Sequence, residues 1–172
     1  MSVSIVVPCY NVAPYVEECL ESLVNQSLQD LEIICVNDGS TDATPALLDA
    51  WARRDGRIRV IHRENGGQAS ARNVGMDTAA GEYVGFVDPD DYVEHAMFAR
   101  LVEESRRHGA DVTACGYTSF SDGDGSVLEE LSWSPAAGVE KEVQSSMARA
   151  GSVWERMDVV TVSYTHLRAH ET

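Results

Sequence analysis

Residues 83–91 read YVGFVDPDD, an apolar run followed directly by a cluster of acids. Its first five residues predict a strand that is buried on both faces, and the acids directly after them predict a polar site where that strand ends. The carboxylates of Asp88 and Asp90, spaced i and i+2, can converge on one divalent cation, and Mg²⁺ or Mn²⁺ would also accept phosphate oxygens. A solvated turn that caps the following helix explains the same residues, and Asp91 is then the better capping residue.

Strands and helices alternate on both sides of this stretch. Short apolar runs predict strands at residues 4–7, 32–36, 58–62, 83–87 and 112–117, and helical periodicity predicts helices at about residues 14–24, 42–51, 69–78 and 97–107. This order predicts an α/β fold with a mostly parallel sheet and helices on both faces. Ligands of such sheets bind beyond the carboxyl ends of the strands, so the residues directly after each strand are the candidate site. Pro8 is expected to stop the first strand, residues 119–126 to form a loop, and residues 140–157 to form one further helix.

Two more polar segments follow predicted strands. Asp38, after the second strand, can accept a hydrogen bond from a nucleobase N–H or a sugar hydroxyl, although a turn with a helix cap explains it equally well. Arg72 is the cation in a run of small residues after Gly66 and Gly67. It can pair with a diphosphate or with one of the acids, and the pair can also be purely structural.

Composition and missing motifs exclude several classes of function. Lys and Arg number 13 against 28 Asp and Glu, and this net charge of −15 argues against a nucleic-acid partner. The first strand-to-helix turn reads PCYN rather than G-x-G-x-x-G, and no G-x-x-x-x-G-K-[ST] loop occurs, which disfavours dinucleotide and P-loop sites. No apolar run reaches about 18 residues, and the N-terminus lacks the basic region of a signal peptide. The four scattered cysteines predict buried free thiols.

Four segments, in order, carry a resemblance to a known family. SIVVPCYN, IICVNDGSTD, ENGGQASARNVG and GEYVGFVDPDDY resemble the family-2 glycosyltransferases, which are inverting enzymes of the GT-A fold. The resemblance implies that Tyr10 stacks on the nucleobase beside Pro8 and that Asp38 holds the base or the ribose. Donor nucleotide binding is thereby assigned to Pro8, Tyr10, Asn11, Asp38, Gly67, Arg72 and Asp88, and metal binding to Asp90, Asp88 and Asp91.

The same resemblance implies an activity. The expected reaction transfers a sugar with inversion from a nucleoside-diphosphate donor, a UDP-sugar, to a glycan or lipid-linked acceptor in surface polysaccharide biosynthesis. Mg²⁺ or Mn²⁺ is the expected cofactor, because a divalent cation neutralises charge on the leaving diphosphate. A cytoplasmic location is implied, and peripheral association with the inner face of the membrane is compatible with it.

The general base that deprotonates the acceptor remains unassigned. In this family it lies beyond the acidic turn, in the acceptor half. The later acids are in no recognisable motif; they are Glu140, Glu142, Glu155 and Asp158. A non-catalytic fragment that binds a nucleotide sugar is therefore the alternative interpretation.

The chain is expected to divide into three parts. Residues 1–118 form the donor-binding core, and residues 119–161 begin the variable acceptor-side region. Residues 162–172, VSYTHLRAHET, resemble a translated sequencing adaptor and are expected to be a non-native tail. The acceptor half of the fold is then expected to be truncated.

Overall fold

The computed structural model describes residues 2–121, 126–131, 158–160 and 166–169. The described strands are β1 (Val3–Cys9), β2 (Leu31–Asp38), β3 (Ile58–Arg63), β4 (Tyr83–Phe86), β5 (Val112–Thr113), β6 (Tyr117–Ser121), β7 (Val127–Leu131), β8 (Asp158–Val160) and β9 (His166–Ala169). Six of them form one sheet in the order β3-β2-β1-β4-β8-β5, and all of its neighbouring pairs are parallel. The predicted parallel sheet is confirmed.

Helices cover both faces of this sheet, as predicted. The described helices are α1 (Val16–Val24), α2 (Thr44–Arg54), α3 (Gln68–Thr78) and α4 (Met97–His108). Alternate residues of a strand point to opposite faces, so Ile33 and Cys35 of β2 join the main core with α1, α2 and α4, while Ile34 and Val36 pack against Ala71 of α3. No helix among the described residues is long and apolar enough to cross a membrane.

Pro8 does not stop β1, which continues beside β2 as far as Cys9. Val87 donates a backbone hydrogen bond to Val6 O across the β1–β4 ladder at 3.1 Å. Along β1 the backbone N–H and C=O groups point alternately toward β2 and toward β4. Val6 points toward β4, so Pro8, two residues later, points toward β4 as well, and as a proline it has no N–H to donate there. Pro8 therefore ends the pairing of β1 with β4 but not its pairing with β2, and the β1 and β4 segments separate beyond Val87.

The predicted strand at residues 112–117 is wrong. β5 ends at Thr113, and Tyr117 begins β6, which belongs to a second sheet in the order β7-β6-β9. The residues between them are Ala114, Cys115 and Gly116, and alanine and glycine have low strand propensity. The predicted loop at residues 119–126 is wrong for residues 119–121, because β6 runs to Ser121 and pairs antiparallel with β7. The helix predicted at residues 140–157 lies outside the described residues.

The start of α4 corrects the capping role considered for Asp91. α4 begins at Met97 with Ala96 at its cap position, so Asp91 does not cap it. α4 ends at His108, and Gly109 follows it in a left-handed conformation with a φ of 59° that glycine adopts without strain. At the start of α2, Asp42 Oδ1 accepts a hydrogen bond from the Thr44 N–H at 2.9 Å.

Candidate functional site

A cleft of about 470 Å³ opens at the carboxyl edge of the sheet, where β1 and β4 separate. Its lining residues come from the last residues of β1 and β2, the loops after β1, β3 and β4, and the first turns of α3; they are Pro8, Cys9, Tyr10, Val12, Asp38, Asn65, Gly67, Gln68, Ala71, Asp88, Pro89 and Asp90. The fold thus brings together most of the residues that the sequence predicts for nucleotide and metal binding. Asn11, Arg72 and Asp91 are not part of this lining.

The first loop presents an aromatic ring to the cleft. Tyr10 is 50% exposed although it borders a buried strand, so its ring is free to stack on a planar ligand. The next residue, Asn11, has a φ of 52° and joins two loops: its Oδ1 accepts a bond from the Thr41 N–H at 2.8 Å, and its own N–H donates to Ser40 Oγ at 3.0 Å. Asn11 therefore holds the loops after β1 and β2 together.

Asp38 is held from three directions at the end of β2. Its side chain is only 4% exposed, and Arg63 Nε lies 3.0 Å from Oδ1. The Gly66 N–H donates to Oδ1 at 3.0 Å, and the Gly67 N–H donates to Oδ2 at 2.7 Å. This carboxylate therefore fixes the loop that leads into α3, and it still borders the cleft.

The loops after β2 and β3 also touch at a glycine. Gly39 has a φ of 75°, and a Cβ atom built on it would lie 2.7 Å from Asn65 N. A side chain at this position would meet both a strained backbone and a neighbouring main chain. The wall of the cleft formed by Asp38 and Asn65 is thus closely packed.

Asp88 forms an ion pair with α3 in this structure. Arg72 Nη2 lies 2.7 Å from Asp88 Oδ1, and the two side chains are 31% and 19% exposed. Gln68 Nε2 makes a longer contact of 3.4 Å with the same oxygen. Of the partners that the sequence leaves open for Arg72, the structure thus selects an acid of the turn after β4.

The rest of the acidic turn divides into a cleft side and a core side. Asp90 lines the cleft, whereas Asp91 is only 3% exposed and its N–H donates to Asp88 O at 3.1 Å. Cys19 Sγ lies 3.7 Å from Asp88 O, beneath the turn. Burial raises the pKa of the Cys19 thiol well above its usual value, and the charges of Cys35, Asp91, Asp90 and Asp88 raise it further.

The carboxylates present suit a hard divalent cation that is completed by ligand oxygens. Among the described residues, no group of three or more His, Cys, Asp or Glu side chains is placed to hold a metal ion. Asp88 and Asp90 nevertheless both border the cleft, and carboxylate oxygens are the ligands that Mg²⁺ and Mn²⁺ take. These cations commonly use one or two carboxylates together with substrate phosphates. The donor set therefore fits a metal that arrives with a phosphorylated ligand.

Sequence reasoning assigned no role to two polar residues of the site. Gln68 reaches Asp88, and Arg63 reaches Asp38. Gln68 lies inside the ENGGQASARNVG segment, so its position in the first turn of α3 was a usable signal. Arg63 directly follows the predicted third strand and so stood among the candidate-site positions, but only the three-dimensional arrangement reveals its contact with Asp38.

Comparison with known proteins supplies the family. Residues 4–144 match the family model described as Glycosyl transferase family 2. The chain belongs to glycosyltransferase family 2. It is 55% identical over 115 residues to the uncharacterized glycosyltransferase EpsJ of Bacillus subtilis, a match that covers 67% of this chain and 33% of that protein. The chain spans about a third to a half of the length of the curated relatives that it matches first.

Solved structures confirm the GT-A fold. TarS residues 1–349 of S. aureus, in complex with UDP, matches 73% of this chain and 38% of that chain, with 30% identity and a TM-score of 0.65. The mannosyltransferase PcManGT of Pyrobaculum calidifontis, in complex with GDP-Man and Mn²⁺, matches 69% of this chain and 34% of that chain, with 28% identity and a TM-score of 0.59. Both of these similar proteins were solved with a nucleotide or a nucleotide sugar.

Proposed function

We propose that this chain is the donor-binding part of an inverting, metal-dependent glycosyltransferase that uses a UDP-sugar. The observation that carries the proposal is the convergence of an exposed ring, Tyr10, with three acids, Asp38, Asp88 and Asp90, around one cleft. The cleft lies where ligands of parallel sheets bind, beyond the carboxyl ends of the strands. Family membership and the UDP complex of the similar protein TarS support the choice of donor.

The two ends of the cleft would take different parts of the donor. Tyr10 and Pro8 would contact the nucleobase, and Asp38 would accept a hydrogen bond from the base or the ribose. A carboxylate offers about four acceptor positions, so Asp38 can bind a ligand while it keeps its bonds to the Gly66 and Gly67 amides. Gly67 also lines the cleft, and because it has no side chain the donor could approach its backbone closely.

The diphosphate would lie toward Asp88 and Asp90. Mg²⁺ or Mn²⁺ held there with the donor supplies Lewis-acid neutralisation of the leaving diphosphate. Arg72 would contribute a second positive charge, because its guanidinium already reaches the edge of the same turn. In a chain with a net charge of −15, these cations would offset the repulsion between the protein and an anionic donor. Asp91 would support the turn from the core side rather than bind the metal, since it is almost fully buried.

The acceptor, the process and the location are proposed from family membership. We propose a glycan or lipid-linked acceptor and a role in surface polysaccharide biosynthesis at the cytoplasmic face of the membrane. Three of the acids considered for the general base, Glu140, Glu142 and Glu155, lie outside the described residues. Asp158 pairs with Tyr83 at the start of β4, at the opposite edge of the sheet from the cleft, so it is a poor candidate.

Nucleotide binding that depends on Mn²⁺ tests the metal assignment. Isothermal titration of UDP should give an affinity in Mn²⁺ that falls at least about tenfold in EDTA, and Asp90→Asn should remove this difference. Asp77→Asn is the matched control, because Asp77 is an exposed acid on α3 that does not line the cleft. An unchanged affinity of Asp90→Asn for UDP in Mn²⁺ would show that the metal is bound elsewhere.

A second function, binding of the nucleotide sugar without turnover, is favoured by one observation. Within the part of the chain that the structure describes, the acids that border the cleft are Asp38, Asp88 and Asp90, and each already has a proposed part in donor binding. An assay for UDP release from a UDP-sugar without acceptor separates the two functions. Slow formation of UDP by hydrolysis of the UDP-sugar in Mn²⁺ would indicate an active site. Tight binding of UDP without any hydrolysis of the UDP-sugar would indicate a binding module.

A further inference from the structure

Arg63 lies at the end of β3 and joins three segments that form one wall of the cleft. Its Nε lies 3.0 Å from Asp38 Oδ1 and donates to Glu64 O at 3.1 Å. Its Nη1 donates to Ser70 Oγ at 2.9 Å and to Ser70 O at 3.2 Å. One rigid guanidinium therefore connects the end of β2 with the first turn of α3, and lysine could not make all of these bonds at once.

The burial of Asp38 makes this contact important for the site. With 4% of its side chain exposed, Asp38 depends on protein groups to balance its charge. Of the partners described above, the carboxylate of Asp38 would keep only the Gly66 and Gly67 amides if Arg63 were removed. Asp38, Asn65 and Gly67 all line the cleft, so a shift of this carboxylate or its loop would move that wall.

The guanidinium of Arg63 packs directly against Gly66. A Cβ atom built on Gly66 would lie 2.2 Å from Arg63 Nη2. The guanidinium thus occupies the space that a side chain at position 66 would fill. Gly66 does not have the positive φ of Gly67, so an alanine there would act mainly by displacing Arg63.

We infer that Arg63 is a positioning residue for nucleotide binding: it fixes Asp38 and the loop at residues 64–67, and thereby sets the affinity for the base end of the nucleotide. This inference rests on the proposed function, because it takes the cleft to be the nucleotide site. Arg63 has no described contact with Asp88 or Asp90. Its loss should therefore weaken nucleotide binding while the ratio of affinities with and without Mn²⁺ stays unchanged.

Amide hydrogen exchange tests the positioning without any ligand. Arg63→Ala should raise the exchange rates of the Gly66 and Gly67 amides at least about tenfold, because their acceptor Asp38 is no longer held. Arg59→Ala is the matched control, since Arg59 is an exposed arginine on the same strand. Unchanged exchange at both glycines in Arg63→Ala would overturn the inference.

Titration with UDP then tests the consequence for binding. Arg63→Ala should weaken UDP binding at least about tenfold, Arg63→Lys should weaken it less, and Arg59→Ala should leave it unchanged. Gly66→Ala should also weaken binding, but it should add little in the Arg63→Ala background, because both changes remove the same contact. Full additivity of the two changes, or unchanged UDP affinity in Arg63→Ala, would overturn the inference.

The two measurements separate failure of the inference from failure of the proposed function. If the unmodified chain binds no UDP with or without Mn²⁺, the proposed function is refuted, and the exchange rates still decide whether Arg63 positions the loop. If Arg63→Ala does not fold, Arg63→Lys and Gly66→Ala serve in both measurements, and wild-type behaviour of both variants would overturn the inference.

Discussion

Gly75 allows α3 to lie close against β1, and its replacement by alanine should disturb both stability and the cleft. A Cβ atom at this position would lie 2.3 Å from Val6 Cγ1 and 2.9 Å from Val6 Cγ2. An ordinary contact between carbon atoms is about 3.7 Å, so the helix would have to move by about 1.4 Å if Val6 stayed in place. Val6 is fully buried in the sheet, which leaves it little freedom to yield.

The size of the effect follows from two opposing contributions. Overpacking of a buried site costs up to about 3 kcal/mol. Alanine in a helix interior is about 1 kcal/mol more favourable than glycine. Gly75→Ala should therefore lower the free energy of unfolding by about 2 kcal/mol. An outward shift of α3 would also lengthen the 2.7 Å contact between Arg72 and Asp88, so UDP binding should weaken as well.

Urea denaturation followed by circular dichroism measures the loss of stability. Asn73→Ala is the control, because Asn73 is exposed on the same helix and should gain only helix propensity. Truncation of Val6 removes both methyl groups that clash, so Gly75→Ala should cost much less in a Val6→Ala background. A Gly75→Ala protein as stable as the unmodified chain would refute the reasoning about close packing of α3.

Three further predictions concern pH, thiols and a turn. The hydrogen bond from Arg57 lowers the pKa of Asp55 below its usual value of 3.8. The stabilisation of the fold by ionised Asp55 is therefore present above pH 3.8 and is lost as the pH falls through the lowered pKa. Asp55→Asn should make the free energy of unfolding, measured by urea titration, less sensitive to acid, and an unchanged sensitivity would contradict the role given to Asp55. Burial raises the pKa of all four thiols, that of Cys35 to about 12, but Cys9, Cys19 and Cys35 are fully buried whereas Cys115 is only half-buried. A thiol reagent at pH 8 should therefore label only Cys115 in the native chain and all four cysteines in denaturant, and native labelling of two or more would contradict this. Gly39→Ala should lower the free energy of unfolding by about 1–3 kcal/mol, because its φ is 75° and the Cβ would clash, whereas Gly56→Ala, with open space around it, should change little; equal effects of the two changes in urea denaturation would argue against strain.

The parallel sheet was predictable because local sequence and tertiary environment agree there. Continuous apolar runs mark the strands of the N-terminal part, and turn residues separate them from the helices. The runs around Val6 and Ile34 are buried on both faces in the structure, as their composition indicates. Beyond Thr113 this agreement ends: Ala114, Cys115 and Gly116 interrupt the predicted strand, and β6 pairs with β7 and β9 in another sheet.

The sequence predicts which residues form the site better than it predicts which of them contact each other. Tyr10, Asp38 and Asp88 follow strands, and a parallel sheet brings such positions to one edge. Which groups pair across that edge depends on distances that the sequence does not contain. The pairing of Arg72 with Asp88 was one of several open choices, and the contact of Arg63 with Asp38 was not foreseen.

The proline in β1 has a consequence for how any ligand is recognised at the mouth of the cleft. Another residue at this position would place an N–H where β1 and β4 separate, next to Val87 and the acids that follow it. That donor would either continue the ladder and draw the two strands together, or remain exposed to the ligand. Pro8 offers neither outcome, so the crevice stays open without a competing backbone donor at this point. The missing backbone N–H of Pro8 therefore helps to shape the entrance of the cleft, together with the side chains around it.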